Sequence, residues 1–266
     1  MKIAIHNSPG SFSDFWIEYC QQQKRPYKLV NYYNNDIIFQ LSDCDALMWH
    51  HHHADYKDVL FAKQLLFSLE QTGKKVFPDF NTCWHFDDKV GQKYLLEAID
   101  APLVSTHIFY EKDDALAWAE QTTYPKVFKL RGGAGSANVK LVKTKHDAVK
   151  IINKAFGKGF PQFDRLEYLK EQIRKIKIGK ESFIMGMIKG WGRLFISTTY
   201  AKIKGPEKGY VYFQDFIPAN DSHTRVIVIG DKAFAIKRMV RKNDFRASGS
   251  GIIKYEKDEI DTRCIN

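Results

Sequence analysis

Residues 126–139 read Lys-Val-Phe-Lys-Leu-Arg-Gly-Gly-Ala-Gly-Ser-Ala-Asn-Val, and this stretch decides which fold the chain can adopt. A strand is predicted over Lys126–Leu130 and a second one over Asn138–Val142. The residues between them are small, so the chain can turn back on itself as a β-hairpin. A Rossmann or Walker phosphate loop would lead from a strand into a helix instead. The stretch therefore predicts a β-loop-β unit.

The same loop suggests a chemistry. Its small residues leave backbone N–H groups open to approach by phosphate oxygens, and the preceding strand delivers Lys129 beside them. An ordinary glycine hairpin without a ligand explains the loop alone equally well. The choice between a phosphate site and a plain turn therefore depends on the rest of the chain.

Upstream, strands and helices alternate from Lys2 to about Phe80. Such alternation predicts a parallel sheet with helical crossovers. Pro78 and the polar run around Asn81 punctuate the chain and place a domain boundary near residue 80. We expect an α/β domain over residues 1–80, followed by a domain with antiparallel sheets, α+β in character, over residues 81–266.

Downstream, the segment 212–218 reads Tyr-Phe-Gln-Asp-Phe-Ile-Pro, an apolar strand end that can offer backbone groups to an adenine edge. The run 225–238 is predicted to form a hairpin that turns at Gly230-Asp231. Arg225, Lys237, Arg238 and Arg246 fall on these strands and on a second glycine and serine loop. Together they could neutralise the charge of a transferring phosphoryl group.

Three segments, taken in this order, resemble the ATP-grasp superfamily. They are the lysine with its small-residue loop, the Gln-Asp-Phe-Ile segment and the run His223-Thr-Arg-Val-Ile-Val-Ile-Gly230. The branch most similar is that of the glutathione-synthetase-like and ribosomal-protein-glutamate-ligase-like (RimK-like) proteins. Asp88-Lys89 would open the nucleotide-binding half, and residues 1–80 resemble the preceding α/β domain of that family. The resemblance covers nearly the whole chain, and it implies an ATP-dependent ligase that joins a carboxylate to an amine through an acyl phosphate.

The resemblance also implies roles for individual residues. Phosphate contacts and a flexible lid would come from Lys89, Lys129, Gly132, Gly133, Ala134, Gly135 and Ser136. Adenine and ribose would be held by Gln214, Asp215, Phe216, Ile217 and Asp221. Arg225, Arg238 and Arg246 would face the γ-phosphate and the acyl phosphate, with Lys237 among the nucleotide contacts.

The sequence departs from the family pattern at two places. His223 stands where the family usually has an acid, two residues before the arginine. Family members also continue to an acidic residue and a Glu-x-Asn-like pair that bind magnesium, whereas this sequence stops at Asn266. We therefore expect ATP and Mg²⁺ as cofactors, with the magnesium ligands beyond residue 266, and we assign no metal ligand within residues 81–266.

Composition leaves two other functions open. The formal net charge of +10 suits an anionic partner. Residues 154–208 are rich in Lys and Arg, so a nucleic-acid-binding protein with Tyr168, Trp191 and Tyr200 as stacking groups is one alternative. It is disfavoured because a solvated amphipathic helix over residues 164–176 and a hairpin explain the pattern of lysines and apolar residues. A kinase, an ATP sensor or an inactive remnant is the other alternative.

Location and metal binding complete the expectations. The first strand, 2–7, has too short an apolar stretch for a signal peptide, and no apolar run could cross a bilayer. We expect a cytoplasmic protein, and a homo-oligomer stays open. Four consecutive histidines, His50 to His53, suggest a metal site, but neighbours on an extended chain point to alternate sides. We expect a polar loop at the carboxyl edge of a strand there.

Overall fold

The computed structural model describes residues 1–53, 55–132, 138–162, 164–177, 182–195, 199–240, 245–246 and 250–264. The chain divides into two compact units. The first comprises Met1–Ile99 and Ser197–Gly205, and the second comprises Asp100–Ile196 and Pro206–Asn266. The division at residue 80 that the sequence suggests stays a prediction.

The elements follow in chain order. Residues 1–99 form β1 (Ile3–His6), α1 (Phe12–Gln22), β2 (Tyr27–Val30), α2 (Ile37–Gln40), β3 (Ala46–Met48), α3 (Tyr56–Gln71), β4 (Lys75–Phe77), α4 (Phe80–Cys83) and α5 (Lys89–Ala98). Next come β5 (Thr106–Phe109), α6 (Lys112–Gln121), β6 (Lys126–Lys129), β7 (Val139–Val142), α7 (Lys145–Ala155), α8 (Arg165–Lys177), α9 (Phe183–Phe195) and α10 (Thr199–Lys204). The last are β8 (Val211–Asp215), β9 (Ser222–Ile229), β10 (Lys232–Met239) and β11 (Ile253–Lys254).

The first unit contains the parallel sheet that the alternating pattern predicts. Its strand order is β2-β1-β3-β4, and each neighbouring pair is parallel. Helix α3 begins behind Asp55, whose side chain accepts a hydrogen bond from the Lys57 N–H. Its residues Ala62, Leu66 and Leu69 recur at helical spacing and are buried against the sheet. The α/β character of this part of the chain is confirmed.

The second unit contains a four-stranded sheet in the order β5-β8-β6-β7, with all neighbours antiparallel. The hairpin of β6 and β7 confirms the β-loop-β prediction. Helices α6 and α7 pack on one face, and the residues they bury there are mainly small, which allows the helix axes to lie close to the strands. These residues are Ala115, Ala119, Ala148, Ile152 and Ala155.

A second antiparallel sheet, in the order β11-β10-β9, follows in the same unit. Strands β9 and β10 pair along their whole length, from Ile229 opposite Lys232 to Ser222 opposite Met239. The turn lies at Gly230, where φ is +60°, a conformation that glycine adopts without a Cβ clash. The predicted hairpin and its turn are confirmed.

The region 154–208 differs from the expectation of a helix and a hairpin. The helix predicted over 164–176 is present as α8, but the chain continues as helices α9 and α10. Helix α9 packs on α8. Its apolar residues Met187, Ile188 and Trp191 recur at helical spacing, and of these Ile188 and Trp191 stay exposed. The predicted hairpin was wrong, because a short run of mixed apolar and basic residues fits the periodicity of a helix as well as that of a strand.

The four histidines follow β3, at the carboxyl edge of the parallel sheet, as expected. Asp58 fixes this loop from α3: its carboxylate accepts hydrogen bonds from the His52 N–H and from the Tyr33 hydroxyl, both at 2.6 Å. His6 lies in the same cluster, where it is 7% exposed and its Nδ1 accepts a hydrogen bond from the Tyr32 N–H at 3.1 Å. Burial lowers the pKa of His6, against a smaller opposite effect of Asp58. Burial also lowers the pKa values of His50 and His51.

We expect acidification to destabilise the protein through these histidines. Their folded pKa values lie below that of an unfolded histidine, about 6.5, so below that pH the unfolded chain binds more protons than the folded one. The free energy of unfolding, measured by urea titration, should therefore fall between pH 7.5 and pH 5.5.

The variant His6→Asn keeps an acceptor for the Tyr32 N–H but cannot titrate, so it should flatten this pH dependence. His146 is exposed on α7, and His146→Gln should leave the slope unchanged. A slope that is the same in His6→Asn and in the unaltered protein would contradict the assignment.

Candidate functional site

Strand alternation sorts the side chains of the four-stranded sheet onto two faces. Lys126 and Phe128 point to the face that α6 and α7 cover, which we call the helix-covered face. Lys129 lies on the opposite face. Gln214 of β8 is on that opposite face as well, because it pairs in register with Val127. The structure therefore brings together two residues that the sequence proposed as nucleotide contacts.

Lys129 and Gln214 are in direct contact. The Lys129 ammonium donates a hydrogen bond to Oε1 of Gln214, whose Nε2 donates to Oγ1 of Thr106 at 3.1 Å. The amide is thereby oriented, with its oxygen towards the lysine. A cation held in this way at the end of a strand is placed beside the loop that follows it.

Asp215, the next residue, has a different environment. Its side chain is on the helix-covered face, where Oδ1 accepts a hydrogen bond from Lys126 at 2.6 Å and lies 3.5 Å from Nε2 of His107. The hydrogen bond from Lys126 lowers the pKa of the Asp215 carboxyl. The Asp215 backbone N–H donates to the Ser105 carbonyl at 2.9 Å. The carboxylate and the N–H of Asp215 are thus engaged within the protein, which leaves its backbone carbonyl for the adenine contact that the sequence suggested.

The ends of the glycine loop are held by hydrogen bonds. The Arg131 N–H donates to the hydroxyl oxygen of Tyr210 at 2.6 Å, and that hydroxyl donates to Glu207 at 2.6 Å. At the other end, Asn138 adopts φ of +56° and its carbonyl accepts from the Leu130 N–H at 3.3 Å. Gly132 lies in a turn with open space where a Cβ would be. Four of the proposed lid residues lie outside the described part of the chain: Gly133, Ala134, Gly135 and Ser136.

A cavity of about 400 Å³ lies in the second unit beside β7. Its lining comprises Asn138, Val139, Lys140, Leu141, Asp164, Phe245 and Arg246. Val139 is the register partner of Lys129, so the cavity adjoins the strand pair that carries the lysine. Phe245 also meets Phe216 edge to face, with ring centroids 6.2 Å apart. Ligand pockets start at about 300 Å³, so this volume suits a small molecule.

The three-stranded sheet separates the basic residues that the sequence grouped together. His223 pairs with Arg238 and Arg225 pairs with Ile236, so these side chains share one face. Lys237 and its partner Lys254 lie on the other face, where both approach the Glu259 carboxylate, at 3.5 and 2.5 Å. Lys237 is thus set apart from the arginines with which it was proposed to act.

The remaining proposed residues lie elsewhere. Asp221 precedes β9, where its Oδ1 accepts a hydrogen bond from the Ser222 hydroxyl at 2.8 Å. Ile217 follows β8 and is 53% exposed. Lys89 belongs to the first unit and is the first residue of α5, directly after Asp88, whose side chain caps the helix by accepting from the Val90 and Gly91 N–H groups.

Sequence reasoning overlooked Thr106, Tyr210 and Lys126, which position the proposed contacts. The signal for Lys126 was available, since residues 126, 128 and 130 must share a face in a strand. Thr106 and Tyr210 could not be found in this way, because their partners are distant in the sequence. Gln214 lies 108 residues from Thr106, and Arg131 lies 79 residues from Tyr210.

Two further features concern metals and membranes. Within the described ranges, no group of three or more His, Cys, Asp and Glu side chains is arranged to hold a metal ion. In the same part of the chain, no helix has both the length and the apolar character that crossing a bilayer requires.

Comparison with known proteins gives matches among solved structures. No protein-family model and no curated protein matches the chain. A RimK-domain ATP-grasp protein from Sphaerobacter thermophilus aligns with 18% identity and a TM-score of 0.50, over 90% of this chain and 73% of that one. Biotin carboxylase from Campylobacter jejuni, in a β-γ-ATP complex, aligns with 13% identity and a TM-score of 0.54, over 98% and 55%.

A third match is N5-carboxyaminoimidazole synthase from Aspergillus clavatus, in complex with ADP and a ribonucleotide. It has 11% identity and a TM-score of 0.50, over 99% of this chain and 60% of that chain. The chain thus spans only part of the length of each of these proteins. At such identities the likeness concerns the fold.

The ion pair of Lys126 and Asp215 leads to an asymmetric prediction. The Lys126 side chain is 7% exposed, whereas that of Asp215 is 41% exposed. Asp215→Ala strands a buried ammonium, and we expect it to lower the free energy of unfolding by about 3 kcal/mol. Lys126→Met leaves a carboxylate that water can reach, so its cost should be about 1 kcal/mol or less. Urea unfolding at pH 7 measures both, and equal costs would contradict this account of burial.

Proposed function

Because the chain has the ATP-grasp fold, we propose that it binds ATP and uses it to join a carboxylate to an amine. One observation carries the proposal: the Lys129 ammonium, oriented by Gln214, stands at the foot of the small-residue loop and beside the cavity that Arg246 lines. A fixed cation, a run of small residues that follows it in the sequence and a nearby arginine are what a polyphosphate needs. Among the similar structures, N5-carboxyaminoimidazole synthase is in complex with ADP and biotin carboxylase is a β-γ-ATP complex.

We assign the nucleotide contacts as follows. Lys129 binds phosphate oxygens, and the loop from Gly132 to Ser136 closes over them. Adenine lies against the segment Gln214–Ile217, where the Asp215 carbonyl and the Phe216 ring are the available groups. Lys89 and Asp221 are the proposed second phosphate contact and ribose contact. Lys237 has only a minor role in the proposed nucleotide site, because the Glu259 carboxylate already neutralises its charge.

In the proposed reaction, a carboxylate oxygen of the acid attacks the γ-phosphorus of ATP, and ADP leaves. The amine nitrogen then attacks the acyl carbon, phosphate leaves and the nitrogen loses a proton. Arg225, Arg238 and Arg246 would stabilise the charge on the transferring phosphoryl group and the acyl phosphate.

Two alternative functions predict different behaviour from that of a ligase. An ATP sensor or a kinase would use the same nucleotide site without forming a carbon–nitrogen bond. A nucleic-acid-binding protein would use the basic helices α8 and α9, and its affinity would fall steeply with salt and ignore ATP. The contact of Lys129 with Gln214 beside a cavity favours a small anionic ligand. A cytoplasmic location and a homo-oligomeric state belong to the proposal as well.

Lys129→Ala tests the nucleotide site. It removes a charged hydrogen-bond donor, which contributes about 1.5–3 kcal/mol, so we expect ATP affinity to fall by about tenfold or more in calorimetric titration. Lys143→Ala is the matched control: it removes the same charge from an exposed residue just past β7 and should leave the affinity unchanged. Equal affinities in all three proteins would refute the site.

ADP release tests ligation. With ATP present, we supply panels of acids alone, amines alone and both together, and we follow ADP and the amide product. Ligation requires the acid for ADP release and both substrates for product. Arg238→Gln should lower the turnover rate about a hundredfold. ADP release with no acid, or a stable phosphorylated product with no further need for an amine, would contradict ligation.

A further inference from the structure

Three basic side chains form a cluster on one face of the three-stranded sheet, which we call the arginine face. His223 and Arg238 are directly opposed across β9 and β10, and Arg225 is two residues from His223 along β9. Opposed residues in an antiparallel pair have Cβ atoms about 5 Å apart, and neighbours at i and i+2 lie about 7 Å apart. All three groups can therefore reach one small ligand.

Among the residues that the structure describes, no carboxylate forms an ion pair with this cluster. Over the described ranges, neither Arg225 nor Arg238 pairs with a carboxylate, and Nε of Arg238 is buried with no hydrogen-bond partner. Glu259, which follows β11, is taken by Lys237 and Lys254 of the opposite face. Asp221, two residues before His223, accepts a hydrogen bond from the Ser222 hydroxyl. On the arginine face itself, β11 contributes Ile253 opposite Arg238. Guanidinium groups held together without an anion repel one another, and a buried unpartnered N–H costs free energy.

The electrostatic effects within the cluster point the same way. Burial lowers the pKa of His223, and the charges of Arg238 and Arg225 lower it further. Burial and, after it, the charge of Arg225 lower the pKa of Arg238. Tyr255 has the opposite, smaller effect on this pKa. The charged groups acting on His223 are thus both cations. An oxyanion at this place would reverse their effect and favour the protonated imidazole.

We infer that His223, Arg225 and Arg238 bind one oxyanion together, and that His223 takes up a proton when the anion binds. The inference rests on the proposed function in one respect: the oxyanion is either the terminal phosphate of the nucleotide or a carboxylate of the acid substrate. His223, which stands where an acid was expected, then determines specificity. A carboxylate at residue 223 would neutralise one arginine, whereas an imidazolium adds a third donor and favours ligands with two negative charges.

Coupling between the proton and the anion is reciprocal. If an anion raises the pKa of His223, then lowering the pH must tighten anion binding by the same factor. A merely structural histidine would show no such effect. This separates a role in binding from a role in the packing of the sheet.

The experiment follows the His223 imidazole C–H signal by NMR across pH 5–8, with the signal identified from its loss in His223→Gln. Sulfate is the first probe, because it stays a dianion over this range, and chloride keeps the ionic strength constant. We expect sulfate to raise the His223 pKa, and sulfate affinity to increase about fivefold or more from pH 8 to pH 6. In His223→Gln the affinity should no longer depend on pH.

Variants identify the other two donors. Arg225→Gln changes an exposed residue, and Arg238→Gln changes the buried donor, so at least one should fold normally. Each should reduce the sulfate effect on His223. Lys232→Gln is the matched control, since Lys232 lies on the same face and strand as Arg238 but about 20 Å away, and it should leave the effect intact.

Nucleotides and carboxylates distinguish the sources. If the terminal phosphate occupies the site, a non-hydrolysable ATP analogue raises the His223 pKa and ADP does not. If the acid substrate occupies it, glutarate raises the pKa and the analogue does not. If sulfate raises the His223 pKa but the protein binds no nucleotide, the anion site is supported and the proposed function is wrong. No effect of sulfate, analogue or glutarate on His223 would overturn the inference.

Discussion

The alternation of side chains along β6 and β8 is the constraint on which the candidate site depends. It turns Lys126, Phe128 and Asp215 towards α6 and α7, and it turns Lys129 and Gln214 the other way. A shift of one residue in the pairing would exchange the two sets, burying Lys129 under the helices and removing Phe128 from the core. Packing of the small residues of α6 and α7 therefore selects the register that also places Lys129 on the opposite face.

Much of the fold was predictable from the sequence because its signals are local. Alternating strands and helices predicted the parallel sheet, and the glycine turns predicted both hairpins. Helix α9 was missed because a short run of mixed apolar and basic residues does not distinguish helix from strand. The separation of Lys237 from Arg238 was predictable in principle, since neighbours on a strand face opposite sides. Its pairing with Glu259 was not, because that contact depends on how β11 returns to the sheet.

The net charge of +10 says little about the site until each cation is traced to its partner. Lys126 is neutralised by Asp215, and Lys237 and Lys254 share Glu259. Such pairs serve the structure. What sets Arg225 and Arg238 apart is that the described residues offer them no carboxylate, and this makes them candidates for an external anion. The distribution of acids, more than the number of bases, thus indicates where an anionic ligand would bind.

The Lys126–Asp215 ion pair also has a mechanical consequence. Asp215 is anchored twice, by its carboxylate and by its N–H, at the last position of β8, and the chain beyond it carries Phe216 and the three-stranded sheet. Any change in the angle between the two sheets would therefore have to be taken up between Asp215 and the start of β9 at Ser222. Gln214 would then keep its place if the arginines of β9 and β10 moved.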